Sequence, residues 1–482
     1  MNKTKILAVA MSMAVMTITY NYSAQNVMAA AAKKPAVVSS QLQGTELKNI
    51  RVGGTRETTR IVLDLSGAKK YKYFFENNNT RLVINIDGMY TSLKEAPAST
   101  RGILKDMILG KYGDTLQLIV DMKAAVPVKV YTLKNPDRIV VDLTNEYEDE
   151  KTTQVEAGLV QKKYVRFDSR GMLTAYLLDI DPNKFDVRMA LPTGQITTGY
   201  GRLTDIVRRN NAVAGVNGGY FDFFDKFLIG DVRIDGLTAG MGAETRAGLI
   251  KKKNGGYAVG KASYSGTVTV NGRSISFWGV NAPRGKDSIV LYNRLYGATT
   301  GTNEYGSEYV ISKGMVQEVN KGNSVIPEDG VVVSVHGESQ ALFADVRKGD
   351  RAVISESFGD EIADGDDFYG AGPQLLKDGQ VSITAAEENI ASNIVNGRAP
   401  RTALGIAKNG HILLMVVDGR QSHSIGSSLS ETAQLLKKFG AVQGVNYDGG
   451  GSSEMVLNNR IISKPSGGAE RSIGNALIVV RK

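Results

Sequence analysis

Two Asp-Gly pairs follow apolar segments in the C-terminal part of this 482-residue sequence. Asp418 comes after the uniformly apolar run 412–417, and Asp448 comes after the run 442–447. If these runs are neighbouring parallel strands, both carboxylates leave the same edge of a sheet, about 4.8 Å apart. Two carboxylates so placed can act as acid, base or nucleophile across a glycosidic bond. Asp-Gly is also a common turn, but two at matching strand ends favour catalysis.

The second Asp opens a glycine-rich loop that can bind an anion. This loop consists of Asp448, Gly449, Gly450, Gly451, Ser452 and Ser453. Glycines let a backbone approach a ligand closely, and exposed N–H groups can cradle a phosphate. No Gly-Lys-Ser/Thr follows, so the loop is not a P-loop, and it is not a G-x-S-x-G elbow.

A related loop occurs 229 residues earlier. The segment 212–217 matches 441–446, and the helical segments before them align at the same offset. Asn217 then begins the sequence Asn-Gly-Gly-Tyr-Phe-Asp, whose polar members can bind sugar hydroxyls and whose aromatic members can stack on a sugar or pack in the core. We therefore expect two related halves whose loops face one cleft. The candidate residues of this loop are Asn217, Gly218, Gly219 and Asp222.

The arginines and histidines give fewer indications of a functional role. Arg401 precedes a strand-like run, and a planar guanidinium suits a phosphodiester because two N–H groups meet two oxygens. The three histidines, His336, His411 and His423, lack a triad-like setting, so we expect them to be surface or core residues. A transition-metal site is not expected, because the sequence has no HExxH motif and no histidine cluster.

A helix is predicted between the two apolar runs. Ser428 and Glu431 have the spacing of a capping box, apolar residues follow on one helical face, and Gly440 ends the pattern. Strand, helix and strand together predict a parallel unit. Glu431 either assists the two Asp residues or only caps this helix.

The N-terminus predicts export. Lys3 and Lys5 precede an apolar run, and Val27-Met28-Ala29 offers a cleavage site, so residues 1–29 are predicted to be a signal peptide rather than a membrane anchor. The net charge is +9, which favours anionic envelope glycans over nucleic acid in an exported protein. Cysteine is absent, which excludes cysteine nucleophiles and thiolate metal sites.

A β-repeat lies between the leader and the catalytic region. The run 61–64 recurs 57 residues later at 118–121, and the run 81–85 recurs at 138–142, which predicts a small all-β sandwich. The predicted organisation is a flexible lead at 30–44, the β domain at 45–146, a linker at 147–160 and a catalytic domain at 161–482. For the catalytic domain we expect an α+β class.

Both folded regions resemble known families. The paired "TRIVLDLSG" and "DRIVVDLTN" strands resemble the AMIN domain, which implies attachment to peptidoglycan or a related glycan. The ordered motifs "AVAGVNGGYFD", "LYNRLYGATTGTNEYG", "GRAPRTALGIAKNGHILLMVVDGRQ" and "VNYDGGGSSEMV" resemble the phosphodiester glycosidases. Tyr447 and Glu454 depart from the usual pattern and leave the sugar identity open.

The second resemblance implies hydrolysis of a sugar-1-phosphodiester, with an N-acetylhexosamine as the expected sugar. Asp418, Asp448 and Glu431 are the catalytic candidates, and Arg401, Thr402 and the two glycine-rich loops are the substrate-binding candidates. No cofactor is expected, although loop calcium stays open. The expected location is periplasmic, cell-wall-associated or secreted, with an envelope glycan as partner. The alternative is a glycan-binding or polymer-assembly protein that kept the fold without turnover.

Overall fold

Short strands dominate the computed structural model, which describes residues 44–482 except 169, 198, 223, 226 and 364. About 50% of the chain is strand and only 7% is helix. The predicted α+β class is therefore wrong, and the protein is mostly β. Turns at Asn and Gly divide the apolar segments into runs too short for packed helices. The predicted signal peptide and residues 30–43 of the predicted lead lie outside the described residues.

The N-terminal region forms two antiparallel sheets around one core. Its strands are β1 (Thr45–Gly54), β2 (Thr58–Leu65), β3 (Lys72–Glu76), β4 (Arg81–Asp87), β5 (Met89–Thr91), β6 (Leu104–Tyr112), β7 (Thr115–Met122), β8 (Val128–Leu133) and β9 (Arg138–Thr144). The sheet orders are β5-β1-β2-β9-β8 and β3-β4-β7-β6. The repeat relates β2 to β7 and β4 to β9. The two members of each related pair lie in different sheets, because β2 pairs with β9 and β4 pairs with β7. Buried residues from both sheets form one core, as the alternating pattern predicts.

The C-terminal region begins with a series of strands and one short helix. They are β10 (Tyr147–Glu156), β11 (Leu159–Asp168), β12 (Gly171–Ile180), β13 (Phe185–Ala190), β14 (Gly201–Arg202), α1 (Leu203–Arg209), β15 (Ala214–Asn217), β16 (Val232–Ile234), β17 (Leu237–Gly240), β18 (Arg246–Lys251) and β19 (Tyr257–Ala262). The predicted linker at 147–160 is largely strand, because β10 pairs along its length with β11.

A separate group of strands follows. They are β20 (Ser265–Val270), β21 (Arg273–Phe277), β22 (Gly279–Val280), β23 (Ile289–Tyr292), β24 (Gly306–Ser312), β25 (Met315–Asn320), β26 (Gly330–His336) and β27 (Ala352–Ser357), with a 3-10 helix at Gly337–Phe343. They form the sheets β21-β20-β27 and β22-β23-β26-β24-β25 around their own core.

The last elements return to the first sheet. They are β28 (Asp367–Gly370), β29 (Gln374–Lys377), β30 (Gln380–Val381), α2 (Ser392–Asn396), β31 (Arg401–Ala407), β32 (Ile412–Val417), α3 (Leu429–Lys438), β33 (Ala441–Asn446), β34 (Met455–Leu457), β35 (Arg460–Ile461), β36 (Ser472–Ile473) and β37 (Ala476–Arg481), with a 3-10 helix at Gly450–Ser452. The helix α3 carries the predicted capping box, which confirms that prediction.

An eight-stranded sheet positions the site. Its order is β10-β11-β12-β32-β31-β33-β29-β30, and β31 is antiparallel to both β32 and β33. The prediction that β32 and β33 are neighbours is therefore wrong, since β31 lies between them. The two strands remain parallel to each other, so the strand ends before Asp418 and Asp448 still share one edge. Their axes are two strand spacings, about 10 Å, apart.

Both faces of this sheet are covered, which explains the uniformly apolar run of β32. Ile412, Leu414 and Val416 face a core shared with β13, β15 and β37. The alternate residues of β32 face α3 in a second core. A strand buried on both faces has no solvent side and needs no polar alternation.

The sheet β13-β37-β15-β34-β35 supplies the other side of the main core, and the sheet β17-β16-β28-β18-β19 adds to it. The strands β14 and β36 form a separate pair. Within the described part of the chain, no helix is long and apolar enough to cross a membrane.

Candidate active site

Asp418 forms a buried pair with His423. The Asp418 side chain is 1% exposed, and its Oδ2 lies 2.8 Å from Nε2 of His423. Its Oδ1 accepts the backbone N–H of Lys464 at 2.9 Å. Burial raises the pKa of Asp418, and the hydrogen bond from His423 opposes that rise. Since both carboxylate oxygens have protein partners, Asp418 is placed to orient the imidazole.

His423 is the residue that our sequence interpretation missed. Its side chain is 26% exposed, so the ring bridges the buried Asp418 and the solvent. The prediction that it is a surface or core residue without a site role does not fit this pair. A signal was present, because His423 follows the strand-end Asp by five residues in a short turn closed between Gln421 and Ser424. An imidazole held by a carboxylate can act as a general base or acid.

Asp448 is partly exposed at the same edge of the sheet. Burial raises the pKa of Asp448, while the Ser452 hydroxyl, the Gly449 N–H and the charge of Arg471 favour its ionised form. Unlike Asp418, it has no imidazole partner among the residues that the structure describes. Its position beside the glycine loop allows it to reach a bound ligand.

The two glycine-rich loops contact each other. Asn217 Nδ2 donates to the Asp448 carbonyl at 2.7 Å, and the Asp448 N–H donates to the Gly218 carbonyl at 3.2 Å. Thr402 Oγ1 donates to Asn217 Oδ1 at 2.6 Å. Asn217 and Thr402 are buried, so they connect β15, β31 and the loop after β33. The structure thus brings both predicted loops to one place, with Asn217 and Thr402 as internal supports.

The two glycines after Asn217 are required by close packing. Gly219 N–H donates to Asn475 Oδ1 at 2.7 Å. A Cβ on Gly218 would lie 1.9 Å from the same oxygen, and a Cβ on Gly219 would lie 2.5 Å from the Gly370 carbonyl oxygen. These glycines therefore permit contact between loops of the protein itself.

Arg401 is buried and bonded to backbone carbonyls. Its Nε donates to Ser427 at 3.1 Å, and its Nη2 donates to Ile394 at 2.6 Å and Gly397 at 2.7 Å. Burial lowers its pKa. These bonds use the guanidinium edge that a two-pronged phosphate contact needs. Its predicted phosphate contact stays a prediction, and its visible role is to hold the segment before β31.

Two other arginines approach the glycine loop. A Cβ on Gly450 would lie 3.5 Å from Arg420 Nη2, and a Cβ on Gly451 would lie 3.1 Å from Arg471 Nη1. Both arginines are exposed. The sequence interpretation named neither, because each stands in a loop far from the glycines along the chain. Their charges and the loop N–H groups make this surface suitable for an anion.

Other predicted contacts are local. Asp222 Oδ1 accepts the N–H groups of Phe224 and Asp225 at 2.8 and 2.7 Å, so this carboxylate closes its own turn. Ser452 is buried and bonds to Asp448. The buried Ser453 hydroxyl has no hydrogen-bond partner in the described protein.

Glu431 has a structural environment. Its carboxylate accepts the Ser428 N–H of the capping box, and it lies 3.1 Å from Arg166, 2.8 Å from Arg170 and 2.7 Å from Arg398. Burial disfavours its charge, but Ser428 and Arg398 together lower its pKa. The structure therefore supports the capping alternative over the catalytic one.

We expect Glu431→Gln to destabilise the fold. Gln can keep the cap but leaves three guanidinium groups without their shared anion. The loss should be about 2–3 kcal/mol, below the ~3–5 kcal/mol of a fully buried pair, because Arg170 is 47% exposed. Urea unfolding measures this loss. Glu148→Gln, which removes an exposed partner of Lys438, is the control and should cost less than about 1 kcal/mol. Equal stability of the two variants would contradict the assignment.

Across the residues with described coordinates, no group of three or more His, Asp and Glu side chains is arranged to hold a metal ion.

Family models match both regions of the chain. Residues 49–131 match the AMIN domain, and residues 305–480 match the phosphodiester glycosidase family. Both resemblances are therefore confirmed. The phosphodiester glycosidase segment contains Asp418, His423 and Asp448, whereas the Asn217 loop lies before it.

Three curated relatives are named N-acetylglucosamine-1-phosphodiester alpha-N-acetylglucosaminidase. Identity is 34% for the mouse protein, 41% for the cattle protein and 35% for the human protein. Each match covers 19% of this chain and 19% of the relative. The chain thus spans about a fifth of the length of these relatives.

Two solved structures share the fold. A hypothetical protein from Synechocystis has a TM-score of 0.62 at 22% identity, covering 91% of this chain and 81% of that chain. A Burkholderia pseudomallei protein has a TM-score of 0.56 at 23% identity, covering 86% of this chain and 97% of that chain.

Proposed function

We propose that the protein hydrolyses a sugar-1-phosphodiester. The observation that carries this proposal is the arrangement at one sheet edge: the Asp418–His423 pair, Asp448, and a triglycine loop approached by Arg420 and Arg471. The phosphodiester glycosidase match supports it, since this segment contains all of these residues.

The reaction replaces one bond at the anomeric carbon. The water oxygen bonds to that carbon, and the bond from the carbon to the bridging phosphate oxygen breaks with its electron pair left on oxygen. One water proton passes to a base and then to solvent, and the other stays on the new sugar hydroxyl. The products are the free sugar and a phosphomonoester. The second pKa of a phosphomonoester is about 6, so the leaving oxygen needs little protonation at neutral pH.

This chemistry suggests a division of roles. Arg420 and Arg471 bind the phosphate and stabilise the charge that develops on the leaving oxygen. Asp448 supplies a carboxylate as base or nucleophile. His423, oriented by Asp418, takes up the proton that the attacking water loses when Asp448 acts as the nucleophile. Arg401 supports the phosphate site through the backbone around β31.

The proposed sugar is an N-acetylhexosamine. The support for this choice is the name of the mouse, cattle and human relatives, which specifies N-acetylglucosamine joined to a phosphodiester. The proposed natural substrate is an envelope or extracellular glycan, since AMIN domains are typical of periplasmic or secreted proteins.

The test is hydrolysis of an N-acetylglucosamine-1-phosphodiester with a chromogenic leaving group on the phosphate. A coupled phosphatase should release the chromogen only after the sugar has been removed. Sugar and phosphomonoester should appear in equal amounts. Binding of the substrate without any turnover, measured by calorimetry, would instead support the glycan-binding alternative.

We further propose that the N-terminal module binds wall glycan through one sheet face. Phe74, Val83, Ile119 and Ile108 are aligned across β3, β4, β7 and β6. Their neighbours Leu82 and Leu118 face the core, so this row lies on the opposite face. Phe74 is 45% exposed and Ile108 is 46% exposed. An exposed aromatic beside polar side chains suits a sugar ring.

The double variant Phe74→Ser/Ile108→Ser should therefore bind purified sacculi at least about tenfold more weakly, since burying one such side chain is worth ~1.5–3 kcal/mol. Sedimentation measures binding, and turnover of the soluble substrate should not change. Surface variants are preferable to deletion of residues 45–146, because deletion would uncover Phe167 of β11. Val325→Ser, at a 71% exposed site, is the control. Sedimentation equal to that of the parent would reject this face.

A further inference from the structure

The segment 464–471, here called the strap, runs along the candidate site between Ser463 and β36. At its first end, the Lys464 N–H donates to Asp418 at 2.9 Å. Gln421 Nε2 donates to the carbonyls of Lys464 at 2.9 Å and Pro465 at 3.2 Å. The strap therefore contacts the residues that hold His423.

The other end of the strap contacts the glycine loop and α1. Arg471 lies against Gly451, as described above. Glu470 accepts the N–H of Thr204 at 2.7 Å and its hydroxyl at 2.8 Å. Between the two ends, Gly467 and Gly468 are exposed, and added Cβ atoms would meet nothing within 4 Å. The strap is thus attached mainly at its ends.

A second carboxyl group meets Glu470 from the glycine-loop side. Glu454 is 3% exposed, and its N–H donates to Asn217 Oδ1 at 3.2 Å. Its Oε1 is buried without a hydrogen-bond partner in the described residues. Glu454 also shares a hydrogen bond with Glu470. Two carboxyl groups can share such a bond only while one of them is protonated.

Burial identifies Glu454 as the protonated member. Burial raises the pKa of Glu454 to about 8, and the charge of Glu470 and its hydrogen bond add to the rise. Glu470 instead accepts the N–H and the hydroxyl of Thr204, so both of its oxygens already serve as acceptors.

Neighbouring elements contribute few other charges. On α1, Asp205 is paired with Arg208. The strand β14 carries Arg202. The charge of Arg471 lowers the pKa of Asp448. Among the described residues, the charge that shifts Glu454 is therefore that of Glu470.

We propose that the protonated Glu454 side chain fastens the strap through Glu470 and so acts as a positioning residue for Arg471. Ionisation of Glu454 places two negative charges together and loosens the end of the strap that carries Arg471, which Thr204 still holds through Glu470. The consequence for catalysis rests on the proposed function, because it assumes that Arg471 binds the substrate phosphate. Substrate affinity should then weaken in alkali.

The direct test is hydrogen exchange of the full chain between pH 6.5 and 9.5, with rates in residues 466–471 normalised to those of an unstructured peptide. In the parent, protection should fall by about tenfold or more as pH rises through 8. A repulsion strong enough to raise a pKa by about one changes an equilibrium about tenfold. Glu454→Gln should keep protection constant over this range, because an amide can donate to Glu470 but cannot ionise. Glu328→Gln, at an exposed loop position, should behave like the parent.

A kinetic measurement adds a separate readout. KM of the parent for the chromogenic phosphodiester should rise above pH 8 with little change in kcat, and Glu454→Gln should show a flat KM. If Glu454→Gln does not fold, Glu470→Gln removes the same repulsion and should also give pH-independent exchange. Protection that changes with pH in the Gln variants as in the parent, or that does not change in the parent, would overturn the proposal. Absence of turnover would contradict the proposed function but leave the exchange result intact.

Discussion

Asp448→Asn should lower turnover of the sugar-1-phosphodiester by about 10²–10⁴-fold, the usual contribution of a proton-transferring group. The substitution keeps the size of the side chain and removes the group that can ionise. The backbone contacts of Asp448 with Asn217 and Gly218 do not use this carboxylate, so the two loops should stay together. Initial rates at saturating substrate measure the effect. Thermal melting should match that of the parent.

Ser452→Ala is the matched control for Asp448→Asn. Ser452 is buried beside Asp448 and favours its ionised form, so its loss should raise the pKa of Asp448 and cause a modest drop in rate. Because the carboxylate acts when ionised, the drop should be larger at acidic pH than at neutral pH. If Ser452→Ala abolished turnover while Asp448→Asn kept most of it, a serine phosphodiesterase mechanism would replace the carboxylate one.

Features encoded within a few residues could be predicted from the sequence. The capping box needs only Ser428 and Glu431 three positions apart in one turn, and α3 begins where this spacing places it. The turn 77–79 is likewise local, since its three Asn residues all adopt positive φ. The N-terminal β-sandwich was predicted from short strand patterns that recur after 57 residues.

Strand order could not be predicted in the same way. Nothing in the runs that became β32 and β33 indicates that β31 inserts between them, because any apolar edge can pair with either. The insertion separates the two Asp residues by an extra strand. It also places Arg401 directly opposite Val417, next to Asp418. The approach of Arg420 and Arg471 to the glycines depends on this tertiary arrangement too.

The α+β expectation failed for a related physical reason. The sequence match at an offset of 229 residues identified two segments in which a helix precedes a strand, but α1 spans only Leu203–Arg209. Short helices can satisfy a local pattern without setting the class of a domain whose cores lie between sheets. The loops that follow β15 and β33 nevertheless meet, since Asn217 donates to the Asp448 carbonyl.

The Asp418–His423 pair should act as one unit in catalysis. Asp418→Asn should lower turnover by about 10²–10⁴-fold, because the imidazole loses the carboxylate that sets its orientation. His423→Ala should cause a loss of similar size. The double variant should be little worse than either single variant, since residues that act as a unit are strongly non-additive.

A second Asp–His pair in the same chain provides the matched control. His411 Nδ1 lies 2.7 Å from Asp179 Oδ1, and both side chains are 30% exposed. Asp179→Asn therefore removes a comparable contact at the opposite end of β32, next to Ile412, and should leave turnover unchanged. Additive losses in the Asp418→Asn/His423→Ala cycle would show independent roles. If Asp418→Asn reduced turnover only in proportion to lost folded protein, its carboxylate would be a support for the Lys464 N–H rather than the partner of a reactive imidazole.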